Sequence, residues 1–522
     1  MEAEKAATLA RFRSEMEHAV PWTARALATL EKDHFTVTRV HRRPEKPVWF
    51  VWASPPAEVQ TGFGLAPELL FVLVDHEVQA IDVRAAAEEV VRSELRLDGN
   101  LMVVCDRGAS LQERLANIGG PGQRIAWTPN PNGEWTSLRS VLQSVLPTYD
   151  AYEERDPVRG AQLVGREAEV GELLTRVTRG DAVGLFGLRK MGKTSLFRAV
   201  TDRLDPASAL RSSRDDGPTG SMVAMVLDAG LLVERSVDGL ADELLVALER
   251  RMRAAGEATP SRGRQGLSGW KASVEALLDQ GRQVCVVIDE YDLLFEGEGG
   301  EGAVPGLNRL FRLHRGWAQT WQGQVSLVLV GRDSTYLSAP EVDGVTNALL
   351  AWCTPTWLGP LTRPKATELL RKIGRRVGLD VGSESARVAF DWTGGHPLLQ
   401  RQFGSALRAQ VRHSDASWKA PTDPYVPSTV NAYRGRDAVL EVAREVVALL
   451  LKRHPEGYVL LRELAEGHGW SDAVSRCGGP NGAAARTLTN FGLASAERRL
   501  SETLRWYVRD LSPAPPSLLR AS

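Results

Sequence analysis

The chain has 522 residues, of which 43% are apolar, 25% charged and 7% aromatic, and 64 Lys and Arg face 65 Asp and Glu for a net charge of -1. That profile excludes a disordered or fibrous chain, gives no global electrostatic case for nucleic acid or membrane as a partner, and at about 150 residues per domain predicts three to four domains. Cys105, Cys285, Cys353 and Cys477 are too scattered for a disulfide framework or a CxxC metal clip. Charges at Glu2, Glu4 and Lys5 and the lack of an apolar run of roughly 18 to 20 residues lead us to expect a cytoplasmic protein with no membrane partner.

In chain order, residues 4–31 read as one amphipathic helix. Apolar runs at 35–40, 48–53, 69–74, 78–83, 101–105 and 124–127 predict strands, and residues 85–96, 110–118 and 137–146 predict helices. Residues 1–150 are thus expected to form an N-terminal α/β domain, followed by a polar linker over 149–159. A second α/β block starts at Leu163, with strands at 182–186, 222–227, 284–288 and 325–330 separated by helical patterns. Such spacing predicts a doubly wound parallel sheet over 160–358. Polar, Gly-rich stretches at 211–220, 256–269 and 296–302 read as loops. After Pro360 the pattern is helical and predicts a helical lid over 359–415, with Pro421, Pro424 and Pro427 marking a break. Residues 436–512 read as helix, short strand, helix, turn, helix and two short strands at 493–500 and 503–511, which predicts a C-terminal winged helix-turn-helix.

Chemistry concentrates in the second block. Gly187-Leu188-Arg189-Lys190-Met191-Gly192-Lys193-Thr194 is a complete GxxxxGK[ST] between a strand and a helix. Its glycines let successive N–H groups face an anion, Lys193 reaches the β- and γ-phosphates, and the Thr194 hydroxyl suits Mg²⁺. Gly187, Arg189, Gly192, Lys193, Thr194 and Ser195 are therefore the candidate phosphate-binding residues. The apolar strand 284–288 runs into Asp289-Glu290. Asp289 is the expected partner of Thr194 on the metal, and Glu290 the group that orients the attacking water. Arg332, at the end of the fourth strand, is placed to sense a γ-phosphate.

These residues resemble the STAND signal-transduction ATPases of the AAA+/NACHT/NB-ARC type, in their bacterial and archaeal branch. The resemblance covers about 163–412 and rests on Leu163-Val164-Gly165-Arg166-Glu167, on residues 187–196, on Ile288-Asp289-Glu290-Tyr291-Asp292, on Gly331-Arg332 and on Thr393-Gly394-Gly395-His396-Pro397-Leu398. It implies that Val164, Gly165 and Arg166 line the base of a bound ATP or ADP and that Pro397 touches it from the lid, with His396 nearby. It also implies a slow ATPase that acts as a nucleotide-dependent switch, self-associates on nucleotide exchange, answers to an unknown protein trigger or effector, and serves bacterial stress or phage-defence signalling.

The flanks leave two alternatives. One is a DNA-binding AAA+ ATPase of the origin-recognition type. Against it, the expected recognition helix over 482–490 carries only Arg486, and Arg498, Arg499, Arg505 and Arg509 of the wing are interleaved with Glu497, Glu502 and Asp510. A latch packed on the nucleotide domain, as in the resembling ATPases, is the favoured role of this module, and nucleic acid is not the favoured partner. The other alternative is an ATPase-regulated nuclease built on residues 1–150, whose element order resembles the PD-(D/E)xK core. Only a degenerate Glu77-Val78-Gln79 is present, with Asp33 and Asp75 off the strand where an acidic partner is needed.

Overall fold

The computed structural model describes residues 2–511 apart from 43–47, 64, 94–96, 107, 109, 119–122, 147–149, 154–162, 205–221, 256, 259–264, 297–301, 343, 412–419 and 495–498. The expected linker, the loops at 211–220 and 296–302, and Arg498 lie largely or wholly outside the described residues. Two compact units are present, the first made of residues 1–162, 367–389 and 400–433 and the second of 163–366, 390–399 and 434–522.

The first unit starts with α1 (Glu2–Ala19) and α2 (Thr23–Lys32) and continues through β1 (Thr36–Arg42), β2 (Val48–Ser54), α3 (Ala57–Phe63), β3 (Glu68–Val74), α4 (Ala80–Arg92), β4 (Leu97–Cys105), α5 (Leu111–Asn117), β5 (Gln123–Ala126) and α6 (Leu138–Val145). The sheet runs β1-β2-β3-β4-β5, antiparallel from β1 to β3 and parallel from β3 to β5. β2 and β3 are apolar at almost every position, and only a sheet covered on both faces accommodates that. Trp49, Val51, Phe71 and Val103 join Leu27 and Leu30 of α2 and Leu138 and Leu142 of α6. Their neighbours Phe50, Trp52, Val72 and Val104 join Val83 and Ala86 of α4 and Leu111 and Leu115 of α5.

Two expectations fail here. The helix expected over 4–31 is interrupted at Pro21, which has no N–H to continue it. The strand expected over 78–83 is instead the start of α4, because the Asp82 carboxylate accepts the Gln79 N–H at 2.9 Å and closes the helix's first turn.

The second unit carries α7 (Glu167–Thr178), β6 (Ala182–Phe186), α8 (Lys193–Leu204), β7 (Met222–Asp228), α9 (Val237–Ala254), α10 (Gly266–Asp279), β8 (Gln283–Asp289), α11 (Leu293–Glu296), α12 (Leu307–Thr320), β9 (Val325–Val330), α13 (Thr335–Ser338), the hairpin β10 (Glu341–Val342) and β11 (Val345–Thr346), and β12 (Thr354–Trp357). Its main sheet is wholly parallel, in the order β12-β6-β9-β8-β7. The chain leaves β6 for the far edge at β7 and then steps back through β8 and β9 to β12. Right-handed crossovers running in opposite directions put their helices on opposite faces, and the cores divide accordingly. Leu196 and Val200 of α8 pack with Val183, Leu185, Val287 and Val330. Leu240 and Leu244 of α9, Trp270 of α10 and Leu310 of α12 pack with Val223, Val286, Leu327 and Leu329. Direction therefore reverses at β6, and ligands of such sheets sit outside the carboxyl ends of the strands at this reversal. The fifth strand, β12, had no sequence signal: it is four residues long and contains Pro355, tolerated because β12 is an edge.

The helices α14 (Arg363–Arg376), α15 (Ser383–Thr393) and α16 (Pro397–Gln410) occupy the expected lid and divide between the two units, with the two-residue strands β13 (Leu379–Asp380) and β14 (Ala420–Pro421) in the first. α17 (Val426–Arg434) leads to α18 (Asp437–Arg453), α19 (Pro455–Ala465), α20 (Trp470–Arg476), α21 (Ala483–Asn490) and α22 (Glu502–Trp506). Among the described residues this last segment holds no strand, which corrects the expected wing. Residues 503–511 are helical because the Ser501 hydroxyl accepts the Leu504 N–H and Glu502 sits in the first turn. The short strand expected after α18 is α19, started by Pro455 at a position where a missing N–H costs nothing. Among the described residues no helix is long and apolar enough to cross a membrane.

His314 of α12 is buried beside Trp270 and Trp317 and accepts the Trp270 indole N–H at 3.3 Å. Burial pushes its pKa down to about 3 from the usual 6.5. The folded protein therefore keeps His314 neutral while the unfolded chain takes up a proton below 6.5, so this group's stabilisation is complete above 6.5 and lost as pH falls toward 3. His314→Gln, which keeps an acceptor for Trp270, should flatten the decline in denaturation midpoint between about pH 6.5 and 4. An unchanged slope would exclude His314 as a source of acid sensitivity.

Candidate nucleotide site

The site is built at the carboxyl end of β6. Gly187 (φ 149°) leaves the strand where a Cβ would lie 2.6 Å from the Leu358 carbonyl oxygen, so no larger residue fits. Lys190 (φ 61°) and Gly192 (φ 94°) adopt left-handed conformations that curl the loop before α8 starts at Lys193. Three side chains hold four of the loop's carbonyls. Lys193 Nζ donates to the carbonyls of Gly187 at 2.7 Å and Leu188 at 2.8 Å. His396 Nε2 donates to that of Arg189 at 3.1 Å, and an Arg166 Nη to that of Met191 at 3.3 Å. Burial lowers the Lys193 pKa to about 8, against the pull of Asp292 and Asp289. Anions fit such a pocket, because an ammonium and the start of a helix meet where water is scarce.

Opposite the loop, Thr194 Oγ1 donates to Asp289 Oδ2 at 3.0 Å. Burial raises the Asp289 pKa, and the carboxylates of Asp228 and Glu290 raise it further. Asp228 is the register partner of Asp289 on the neighbouring strand. A Cβ on Gly230 would sit 2.9 Å from Glu290 Oε2 and 3.1 Å from Asp228 Oδ1, so both carboxylates border that glycine. The Thr194 hydroxyl and the Asp289 carboxylate are hard oxygen donors that fit Mg²⁺, and a divalent charge offsets the neighbouring carboxylates that help raise Asp289. Glu290 has φ 52°, unusual for a residue with a side chain, and its N–H donates to Asp289 Oδ1 at 3.0 Å.

The structure places the remaining expected residues as follows. The Arg332 backbone N–H donates to Asp292 Oδ2 at 2.6 Å, while its exposed side chain lines a cavity of about 180 Å³ with Leu188, Arg189, Glu445 and Arg453. The Arg189 guanidinium pairs with Glu445 of α18 at 2.6 Å. Arg166 is buried, and besides Met191 it bonds the Gly359 carbonyl at 2.7 Å and Glu169 at 3.0 Å. Val164 and Ser195 are buried, and Gly165 (φ 78°) has Lys365 Cβ 2.8 Å from where its own would lie. Pro397 begins α16 directly after His396. In the first unit Asp33 is taken by Ser137, Asp75 by Trp22, and Glu77 and Gln79 lie between β3 and α4 rather than on a strand.

Sequence reasoning missed Asp228, whose place depends on strand register, and a polar cluster behind the site. There Asp292 and Asp333 are buried; His454 Nε2 donates to Asp333 Oδ2 at 2.7 Å, Arg453 pairs with Glu296, and Arg453 Nη1 lies 3.7 Å from Asp292 and 3.6 Å from Asp333. Adjacent carboxylates after an apolar strand are the only signal that pointed this way.

A phosphate loop after the first strand, an acidic pair after the third and a parallel sheet that reverses between them settle the fold. The second unit contains a P-loop NTPase fold. No protein-family model matches the sequence, and no curated protein is detectably similar to it. Solved structures similar to it include the Walker-type ATPase of Pyrococcus abyssi, at 17% identity over 68% of this chain and 99% of that one, with a TM-score of 0.45. Two further ones are from Aeropyrum pernix. The ORC2 protein in its ADPNP–ADP complexes is 16% identical over 68% of this chain and 93% of that one, with a TM-score of 0.42. The ORC1 protein in complex with DNA is 19% identical over 67% of this chain and 87% of that one, with a TM-score of 0.34.

Arg453 is the cation shared by Asp292, Asp333 and Glu296, and burial already raises the Asp292 pKa. Arg453→Met should destabilise the protein by about 3 kcal/mol at pH 8. The loss should shrink at pH 5, because removing Arg453 raises further an Asp292 pKa that burial already raises, and denaturant titrations at the two pH values check this; equal stability of variant and wild type at pH 8 would contradict it.

Proposed function

We propose that the protein binds ATP and ADP with Mg²⁺ at Gly187–Ser195 and hydrolyses ATP. One observation carries this reading: a half-buried lysine sits in a glycine-curled loop at the sheet's reversal point, and the Thr194 hydroxyl beside it is already bonded to Asp289. Loop N–H groups and Lys193 bind the phosphates, and Lys193 exchanges the carbonyls of Gly187 and Leu188 for phosphate oxygens. Thr194 and Asp289 would hold Mg²⁺, which supplies positive charge at the phosphate oxygens. Glu290, bordering the site but not bonded to Thr194, orients and polarises the attacking water. Arg332 reads the γ-phosphate from the side of β9.

Two outputs remain. Exposed Arg486, Arg499 and Arg509 of the C-terminal segment support engagement of DNA in the manner of the origin-recognition group, to which two of the similar structures belong by their names. The signal-transduction switch that self-associates on nucleotide exchange rests on the motif resemblance alone, and we place it second. Salt dependence distinguishes the two. DNA engagement predicts duplex affinity that falls steeply with salt and weakens when Arg486 and Arg499 are neutralised, whereas a switch predicts a change of assembly between ADP and a non-hydrolysable ATP analogue without DNA.

For the ATPase itself, Lys193→Ala should abolish ATP binding in a calorimetric titration. Glu290→Gln should bind ATP normally and lose about 100-fold or more in turnover. Wild-type turnover by Glu290→Gln would remove Glu290 from this role.

A further inference from the structure

We propose that His396 is a positioning residue for phosphate recognition, acting on the phosphate loop and not on the base. The inference rests on the nucleotide-binding reading above and deepens it. Across a trans peptide the C=O of one residue and the N–H of the next point in opposite directions. Holding the Arg189 carbonyl on His396 therefore turns the Lys190 N–H away from the imidazole, and holding the Met191 carbonyl on Arg166 turns the Gly192 N–H away from that guanidinium. Those two peptides flank the left-handed turns at Lys190 and Gly192 that open the loop toward an anion.

The four carbonyl contacts differ in permanence. Lys193 has to leave Gly187 and Leu188 to reach a phosphate, so it cannot keep the loop in shape once ligand arrives. His396 and Arg166 make no such move and can hold the loop in both states. The partner of His396 Nε2 is a carbonyl, so that nitrogen carries the proton, and Nδ1 faces the Leu399 N–H at 3.5 Å, an N–H in the first turn of α16 that has no helical partner. One imidazole thus joins the start of α16 to the phosphate loop. Its neighbours suit a neutral donor: burial and the nearby cations Lys193 and Arg166 lower its pKa to about 4. The surrounding backbone leaves little freedom, since a Cβ on Gly395 would lie 2.1 Å from the Leu361 carbonyl oxygen.

Three replacements separate loop positioning from simple capping. His396→Gln keeps an N–H donor near the position of Nε2, His396→Asn keeps an acceptor near that of Nδ1, and His396→Leu keeps neither. Each is titrated by calorimetry with ADP and with tripolyphosphate, which has no base, and thermal unfolding confirms folding. The Leu and Asn variants should bind both ligands about tenfold more weakly, with the Gln variant within about threefold of wild type. Loss for ADP but not for tripolyphosphate would overturn the proposal, as would equal loss in the Gln and Leu variants or wild-type affinity in all three. Failure of the wild type to bind either ligand would instead overturn the nucleotide reading. If the Leu variant does not fold, the Gln and Asn comparison decides.

Discussion

The second unit depends on neutralising charge that is gathered at the carboxyl edge of a buried sheet. Lys193, Asp289, Asp292 and Asp333 all lie where burial penalises ionised groups, and the shifts of Lys193, Asp289 and Asp292 are dominated by that cost. The protein meets the cost locally. Lys193 lies against two carbonyls, Asp289 against a hydroxyl, Asp292 against the Arg332 N–H, and Asp333 against His454. Residues that ligand would contact directly are the ones whose compensation is lightest: Lys193 rests on neutral carbonyls and Asp289 on a neutral hydroxyl. The deeper Asp292 and Asp333 also lie within 4 Å of the Arg453 guanidinium. This difference lets the front of the site exchange partners while the back stays fixed.

The rear cluster also accounts for how the C-terminal helices relate to this edge within the unit. The last turn of α18 supplies Lys452 and Arg453, and His454 follows it; these face Glu296, Asp292 and Asp333. Tyr458 of α19 and Leu488 of α21 lie in the same apolar core as α8. The Tyr291 hydroxyl donates to the Asp333 carbonyl, and Gly331 leaves no room for a Cβ beside the Tyr291 ring and Asp292. Packing therefore connects the residues that follow β8 and β9 to a segment more than 100 positions away in sequence.

What was legible in the sequence was whatever is contiguous. The phosphate loop could be read because its chemistry needs fixed spacing, and β6 to β9 because each is a short, largely apolar run of strand length. β12 escaped because an edge strand needs neither length nor apolarity and tolerates Pro355. Asp228 escaped because its meaning depends on register with Asp289, and Arg453 and His454 because their partners are set by tertiary packing alone. The motif around Gly395 is likewise contiguous. Nothing local reveals that the His396 imidazole reaches the Arg189 carbonyl. The expected wing failed for the opposite reason: Ser501 and Glu502 form a helix start that outweighs the strand-like run after them.

The central claim is that Lys193 and the Thr194–Asp289 pair form a site for nucleotide phosphates and Mg²⁺. A crystal structure of the protein with ADP and Mg²⁺ tests it most directly. The account predicts phosphates in the 187–195 loop, Lys193 Nζ moved from the carbonyls of Gly187 and Leu188 to a phosphate oxygen, and the metal beside Thr194 on the side of Asp289. Nucleotide bound elsewhere, or phosphates in the loop with Lys193 still on its two carbonyls, would contradict it.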